Sequence, residues 1–173
     1  MAKRSAGLAM YRVRNGALEI LLVHPGGPLW AKKDNGAWFL PKGELEDGED
    51  ELAAAKREFE EETTLKPSGP FFALGTVKQK GGKIVAAWAF EGDCDPSALE
   101  SNTFKMEWPP RSGKQREFPE IDRAAFFTLE AARTKMHSAE FEFFTRVEAV
   151  RSSASAAPPM RPGGTNPSKR LPA

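Results

Sequence analysis

The chain has 173 residues, of which 28% are charged and 40% hydrophobic, with a formal net charge of +1. That is enough for one domain and not comfortably two, and the charge balance gives no reason to expect a nucleic-acid or membrane partner. Cys94 is the only cysteine, so no internal disulfide can form and a cytoplasmic location is expected. No apolar run reaches the length of a bilayer span, and the start of the chain, with Lys3 and Arg4, lacks the apolar stretch of a secretory signal.

Residues 8–14 alternate loosely and end at Asn15-Gly16, a dipeptide suited to a tight hairpin turn. Residues 17–24 read as a buried strand because Ile20, Leu21, Leu22 and Val23 run together. Pro25 and Pro28 break it. A polar loop over residues 32–36 and the apolar Trp38-Phe39-Leu40 lead to a helix ending near Leu65. Residues 71–80 and 83–90 predict two strands around Gly81-Gly82, with Lys78 and Lys80 on one strand face. Residues 93–116 read as loop, broken by Asp95-Pro96, Pro109-Pro110 and Ser112-Gly113. A short strand over residues 125–129 and a helix over residues 130–150, interrupted near His137-Ser138, follow. Strands, helix, strands and helix in that order predict a layered α/β domain over residues 1–150. Residues 151–173 hold five prolines, four basic residues and no acid, and predict a disordered tail.

The segment from Gly43 to Leu65 carries the chemistry. In a helix, Glu58, Glu61 and Glu62 stand at i, i+3 and i+4 and share one face, while Glu60 points elsewhere. Like charges on one face repel, and a hard divalent cation offsets that repulsion by taking carboxylate oxygens. Leu52, Ala55 and Phe59 form an apolar stripe beside this face, which places the acids at the edge of a core. Gly43 and Gly48 bracket the preceding loop. Glu49, Asp50 and Glu51 crowd the first helical turn, where the helix dipole favours acids. Arg57 can pair with Glu49, Glu60 or Glu61 and orient the acids.

This segment resembles the Nudix box, G-x5-E-x7-R-E-U-x-E-E-x-G-U with U apolar. Gly43, Glu49, Arg57, Glu58, Phe59, Glu61, Glu62 and Leu65 match in register. Thr64 stands where the family has glycine. A left-handed Thr there would cost about 1–2 kcal/mol, so the helix end is expected to differ locally. The resemblance implies an α/β/α sandwich around a mixed sheet. It also implies Mg²⁺, with Mn²⁺ able to substitute, held by the Gly43 carbonyl, Glu58, Glu61 and Glu62. The implied reaction is hydrolysis of a diphosphate bond in a nucleoside diphosphate linked to another group, with Arg57, Glu58 and Glu61 at the catalytic centre. Glu120, on a loop like that of the loop Glu in several family members, is a second candidate for the base.

Substrate contacts lie outside the box. Lys42, Lys78, Lys80 and Arg111 concentrate positive charge that a polyphosphate would use, and Trp108 on its loop is the candidate for stacking on a base. Trp38 and Trp88 are expected in the core. The closest branch by resemblance is the dinucleoside polyphosphate hydrolases. The alternatives are a nucleoside triphosphate, ADP-ribose or nucleotide-sugar pyrophosphatase, or a non-catalytic nucleotide-sensing module. The expected partner is a nucleotide-type small molecule, with the protein either a monomer or a homodimer.

Overall fold

A computed structural model describes residues 3–156. Its strands are β1 (Arg4–Arg14), β2 (Ala17–Pro25), β3 (Lys42–Glu44), β4 (Phe72–Lys78), β5 (Ile84–Glu91), β6 (Thr103–Glu107), β7 (Gln115–Pro119) and β8 (Ile121–Thr128). Its α-helices are α1 (Glu51–Thr63), α2 (Leu129–Lys135) and α3 (Phe141–Ala156). The main sheet runs β4-β5-β1-β2-β8, with β3 added beside β1. β1 and β5 are parallel and the other pairs antiparallel, so the sheet is mixed.

Alternation along β1 and β2 explains why both faces of the sheet are covered. Ala6, Leu8, Met10 and Leu21 pack with Ala54, Ala55 and Phe59 of α1. Ala9, Tyr11, Ile20 and Leu22 pack on the other face with Phe143, Phe144 and Val147 of α3. The result is the expected α/β/α sandwich. β1 also divides its antiparallel edge. Ser5, Ala6 and Gly7 pair with β3, whereas Tyr11 to Arg14 pair with β2 across the Asn15-Gly16 turn. Between the two partners β2 parts from β1 while staying paired with β8. The run into the box fills the gap: Val23 and Phe39 exchange backbone hydrogen bonds at 2.9 Å, and the Leu8 N–H donates to the Pro41 carbonyl at 3.1 Å.

Three expectations are corrected. Residues 93–116 are not all loop, because β6 and β7 form a separate two-stranded hairpin. Its faces bury little, with Phe104, Met106 and Phe118 only partly covered, so the alternation is weak in sequence. The helix expected to end at residue 150 continues to Ala156, and the rest of the expected tail lies outside the described residues. The helix end at Thr64 is also not rearranged. Thr64 sits at φ 64°, in the left-handed conformation that favours glycine, and its N–H donates to the Glu60 carbonyl at 2.7 Å. Thr63 supports the turn, since its hydroxyl donates to the Phe59 carbonyl at 2.7 Å and accepts from the Leu65 N–H at 3.1 Å.

Thr64→Gly removes the left-handed penalty and adds some unfolded-state entropy. A net gain of about 0.5–1 kcal/mol in unfolding free energy is expected from urea titration. A loss of stability would show that the Thr64 side chain itself supports the helix end.

Candidate active site

α1 presents the acids as the spacing predicts. Asp50 caps the helix, accepting from the Ala53 N–H at 3.0 Å, and fixes where the first turn starts. Phe59 is fully buried beneath the face, Glu60 is exposed, and Glu58, Glu61 and Glu62 are partly buried. Of the raised carboxyls of this site, Glu62 is the one pushed furthest up. Its Oε1 is buried without a hydrogen-bond partner. Burial pushes its carboxyl up to about 8, opposed by the charge of Lys42 and reinforced by Glu58 and Glu120. Glu58 is also raised, mainly by burial, against a hydrogen bond from Arg57.

Arg57 binds the loop and the helix together. Its Nε and Nη2 grip the two Glu49 oxygens at 2.9 Å each. Its Nη1 donates to Glu58 at 2.7 Å and to Glu61 at 3.2 Å, and Nη2 also reaches the Glu44 carbonyl at 3.2 Å. This bidentate grip holds Glu49 down to about 2. Glu60, one of the partners the sequence allowed, takes no part.

Gly43 lies against Glu58. A Cβ at Gly43 would come within 2.0 Å of the Glu58 carboxylate, so only glycine lets the carboxylate rest on this stretch of backbone. The donor set therefore fits a hard divalent cation: a cradle without a side chain, a raised Glu58 and a buried Glu62 oxygen without a partner. Among the described residues no closed cage of three protein ligands is preformed. Arg57 accounts for part of this, since its Nη1 already occupies Glu58 and Glu61. A cation that keeps several waters and takes substrate phosphates does not require such a cage.

Glu120 lies between β7 and β8 and is fixed by its backbone. Its N–H donates to the Asn102 carbonyl at 2.8 Å and its carbonyl accepts from Gly26 at 2.9 Å. Asn102 in turn donates to the Glu61 carbonyl at 3.1 Å, which ties this loop to the box helix. Burial raises the Glu120 carboxyl, and the charge of Glu61 raises it further. A cavity of about 250 Å³ opens between Glu120, Glu62, Lys42, Phe39 and Trp30. A second cavity of about 350 Å³ adjoins it, lined mainly by apolar groups that include Leu29, Phe104 and Met106. Pro25, Trp30 and Glu120 border both.

The NUDIX domain model matches residues 2–147, most of the chain and all of the site. The chain belongs to the NUDIX family. A segment of 65 residues, 38% of this chain, is 38% identical to the asymmetrical bis(5'-nucleosyl)-tetraphosphatase of Caenorhabditis elegans. That match spans only 43% of the length of the relative. Among solved structures, a C. elegans Ap4A hydrolase binary complex superposes with a TM-score of 0.61 at 22% identity, covering 88% of this chain and 99% of that one. The NUDIX domain of Shewanella oneidensis NrtR, complexed with ADP ribose, superposes with a TM-score of 0.57 at 14% identity, covering 88% of each chain. At these identities the superpositions establish the fold.

Outside the NUDIX box, the residues expected to contact substrate fall in different places. Lys42 lines the cavity beside Glu62. Lys78 and Lys80 do not share a strand face, because β4 ends at Lys78 and Lys80 opens a 3₁₀ turn, Lys80–Gly82. Both are exposed and line neither cavity. It is Gln79, between them, that reaches inward to Glu140 at 3.2 Å. Lys83 is the partly buried lysine of this turn. Its ammonium is pushed down by burial and by the charge of Lys42. Trp108 and Arg111 sit on the connection between β6 and β7 and line neither cavity.

Trp30, Phe39, Gln79 and Glu140 were not anticipated. For Trp30 the available signal was an aromatic directly after the Pro25–Pro28 break, where a core role is disfavoured. His24 is fully buried with its ring nitrogens 2.7 Å from Asp122 and 2.6 Å from the Lys33 carbonyl. It ties the Trp30-bearing loop to β8. Trp38 is buried and Trp88 partly so.

The raised Glu62 carboxyl sets a pH dependence. Between the ordinary glutamate range and about 8, the folded metal-free protein holds a proton on Glu62 that the unfolded chain has released. Stability therefore falls as pH rises through that window. In EDTA, Tm is expected to decline from pH 5 to 8, and Glu62→Gln is expected to flatten the decline. Mg²⁺ is expected to raise Tm more at pH 8 than at pH 5.5, since the cation and the proton compete. A flat wild-type profile in EDTA would remove the buried-carboxylate account.

Proposed function

We propose that this NUDIX protein is a Mg²⁺-dependent hydrolase, with Mn²⁺ able to substitute, that breaks a diphosphate bond in a nucleoside diphosphate linked to another group. Dinucleoside polyphosphates are the favoured substrate class. The observation that carries this reading is the meeting of two cavities at one rim, beside the buried Glu62 oxygen and Lys42. An acidic cluster suits cations that neutralise phosphate charge. Apolar, aromatic-bordered space on either side of Trp30 suits two nucleosides. The similarity to the C. elegans tetraphosphatase, although limited to 65 residues, points the same way.

When bound through Glu58, Glu61, Glu62 and the Gly43 carbonyl, the cations supply charge neutralisation at the phosphorus and acidify the attacking water. The protein supplies position and proton transfer. Arg57 holds Glu58 and Glu61 in register with the loop. Lys42 meets a phosphate oxygen as a charge-assisted donor. Glu120 takes the proton of the attacking water. Its raised carboxyl brings it nearer to the working pH, where a base is most effective. Trp30 offers a face for a base, whereas the Phe39 ring is stacked on His137 and lies under the Lys42 ammonium.

The structural likeness to a NUDIX domain that was solved with ADP ribose supports a second reading, ADP-ribose hydrolysis. A panel of diadenosine tetraphosphate, ATP, ADP-ribose and UDP-glucose, assayed with and without Mg²⁺, separates them. The highest kcat/KM is expected on diadenosine tetraphosphate, with activity lost in EDTA. A preference for ADP-ribose would replace the first reading with the second.

Within that panel, Glu120→Gln is expected to lower kcat at least about 100-fold. Trp30→Ala is expected to raise KM about tenfold, within the ~1–3 kcal/mol of a stacked base. The double change Lys78→Ala with Lys80→Ala should alter KM by less than about twofold, as screened, exposed charges would. A large KM effect of the lysine pair would show that the substrate reaches the β4–β5 turn.

A further inference from the structure

Glu140, immediately before α3, is fully buried. Its Oε1 accepts from the Leu40 N–H at 3.0 Å. Its Oε2 lies 3.1 Å from the Lys42 ammonium and accepts from the Gln79 amide at 3.2 Å. Three segments far apart in sequence converge on one side chain: the run into the box, the turn after β4, and the start of α3. Burying a carboxylate is costly, but here both oxygens accept from donors, and a glutamine would offer one acceptor and turn its own NH2 donor toward Gln79 and Lys42.

The charge is explained by its partner. Lys42 is a long, flexible residue whose side chain is only 15% exposed. Glu62, whose Oε1 has no hydrogen-bond partner, lines the same cavity as Lys42 and feels its charge. An ammonium free to move would settle on Glu62 and occupy the oxygen that suits a cation. Glu140 provides a competing anchor, and the ammonium already rests on it at 3.1 Å. The Phe39 ring, 4.7 Å below the ammonium, limits its remaining movement. Lys83 feels the charges of Lys42, Glu44, Glu140 and Lys3, and Lys3 and Glu44 form an exposed ion pair at 3.8 Å. Lys42 and Lys83 together outweigh the charge of Glu140, so the corner stays positive.

We infer that Glu140 is a positioning residue: with Gln79 beside it, it holds the Lys42 ammonium at the mouth of the carboxylate cluster, off Glu62 and available to an oxygen of the phosphate chain. This rests on the reading above that Lys42 meets substrate phosphate.

The test is a double-mutant cycle in the full chain. Glu140→Gln and Lys42→Met are each expected to raise KM for diadenosine tetraphosphate about tenfold, with kcat changed less than threefold. The double variant should show no further loss. Calorimetric binding of inorganic tripolyphosphate should weaken in parallel in all three proteins. Additive losses, or a Glu140→Gln protein with wild-type KM and only a lower Tm, would overturn the inference.

Should Glu140→Gln fail to fold, Glu140→Asp keeps the buried charge and withdraws it by one methylene. It is expected to raise KM in the same way, and a wild-type KM there would equally overturn the inference. If diadenosine tetraphosphate is not hydrolysed at all, the substrate reading fails. The tripolyphosphate arm still decides between coupled and independent action of Glu140 and Lys42.

Discussion

The site depends on Arg57. Three carboxylates on one helical face at the edge of a core repel one another, and water cannot fully screen them there. A single guanidinium offsets part of that repulsion from within the same helix, while its remaining donors hold Glu49 and the Glu44 carbonyl. The loop before the helix and the helix itself therefore behave as one piece. Its planar fork matters, because a lysine point charge could not grip both Glu49 oxygens and still reach Glu58 and Glu61. Around that piece the fold adds a second layer of fixation. The Glu120 loop is pinned to β2 through Gly26 and to the box helix through Asn102.

Local sequence was a good guide wherever a period or a turn signal decided the outcome. The shared face of Glu58, Glu61 and Glu62 follows from 3.6 residues per turn, and the structure presents Glu60 to solvent as that period requires. The Asn15-Gly16 hairpin and the break near His137 were legible for the same reason. The weakly covered β6–β7 hairpin was not, because partial burial leaves little alternation to read. Thr64 shows propensity overridden, with the cap geometry kept and the wrong residue tolerated in it.

The substrate side was less legible because it is assembled from distant segments. Lys78 and Lys80 carry charge in plain view, yet both are exposed, and it is Gln79 between them that turns inward, to Glu140. Glu140 lies almost a hundred positions from Lys42, and nothing local marks it as that residue's partner. Trp108 and Trp30 are equally aromatic. Only the folded arrangement of Pro25, Glu120 and the β6 side chains distinguishes them.

The divided edge of β1 has a consequence for how the molecule assembles. Its far half pairs with β2 across a two-residue turn and can form early, as local contacts do. Its near half must wait. Arg4 to Tyr11 pair in parallel with β5, and Ser5 to Gly7 pair with the strand that carries Lys42 and Gly43, so long stretches of chain have to be closed into loops first. Loop-closure entropy therefore favours the hairpin forming before the catalytic centre. A chain without β5 would lack the parallel partner that completes β1, and a lone hairpin is marginal in water.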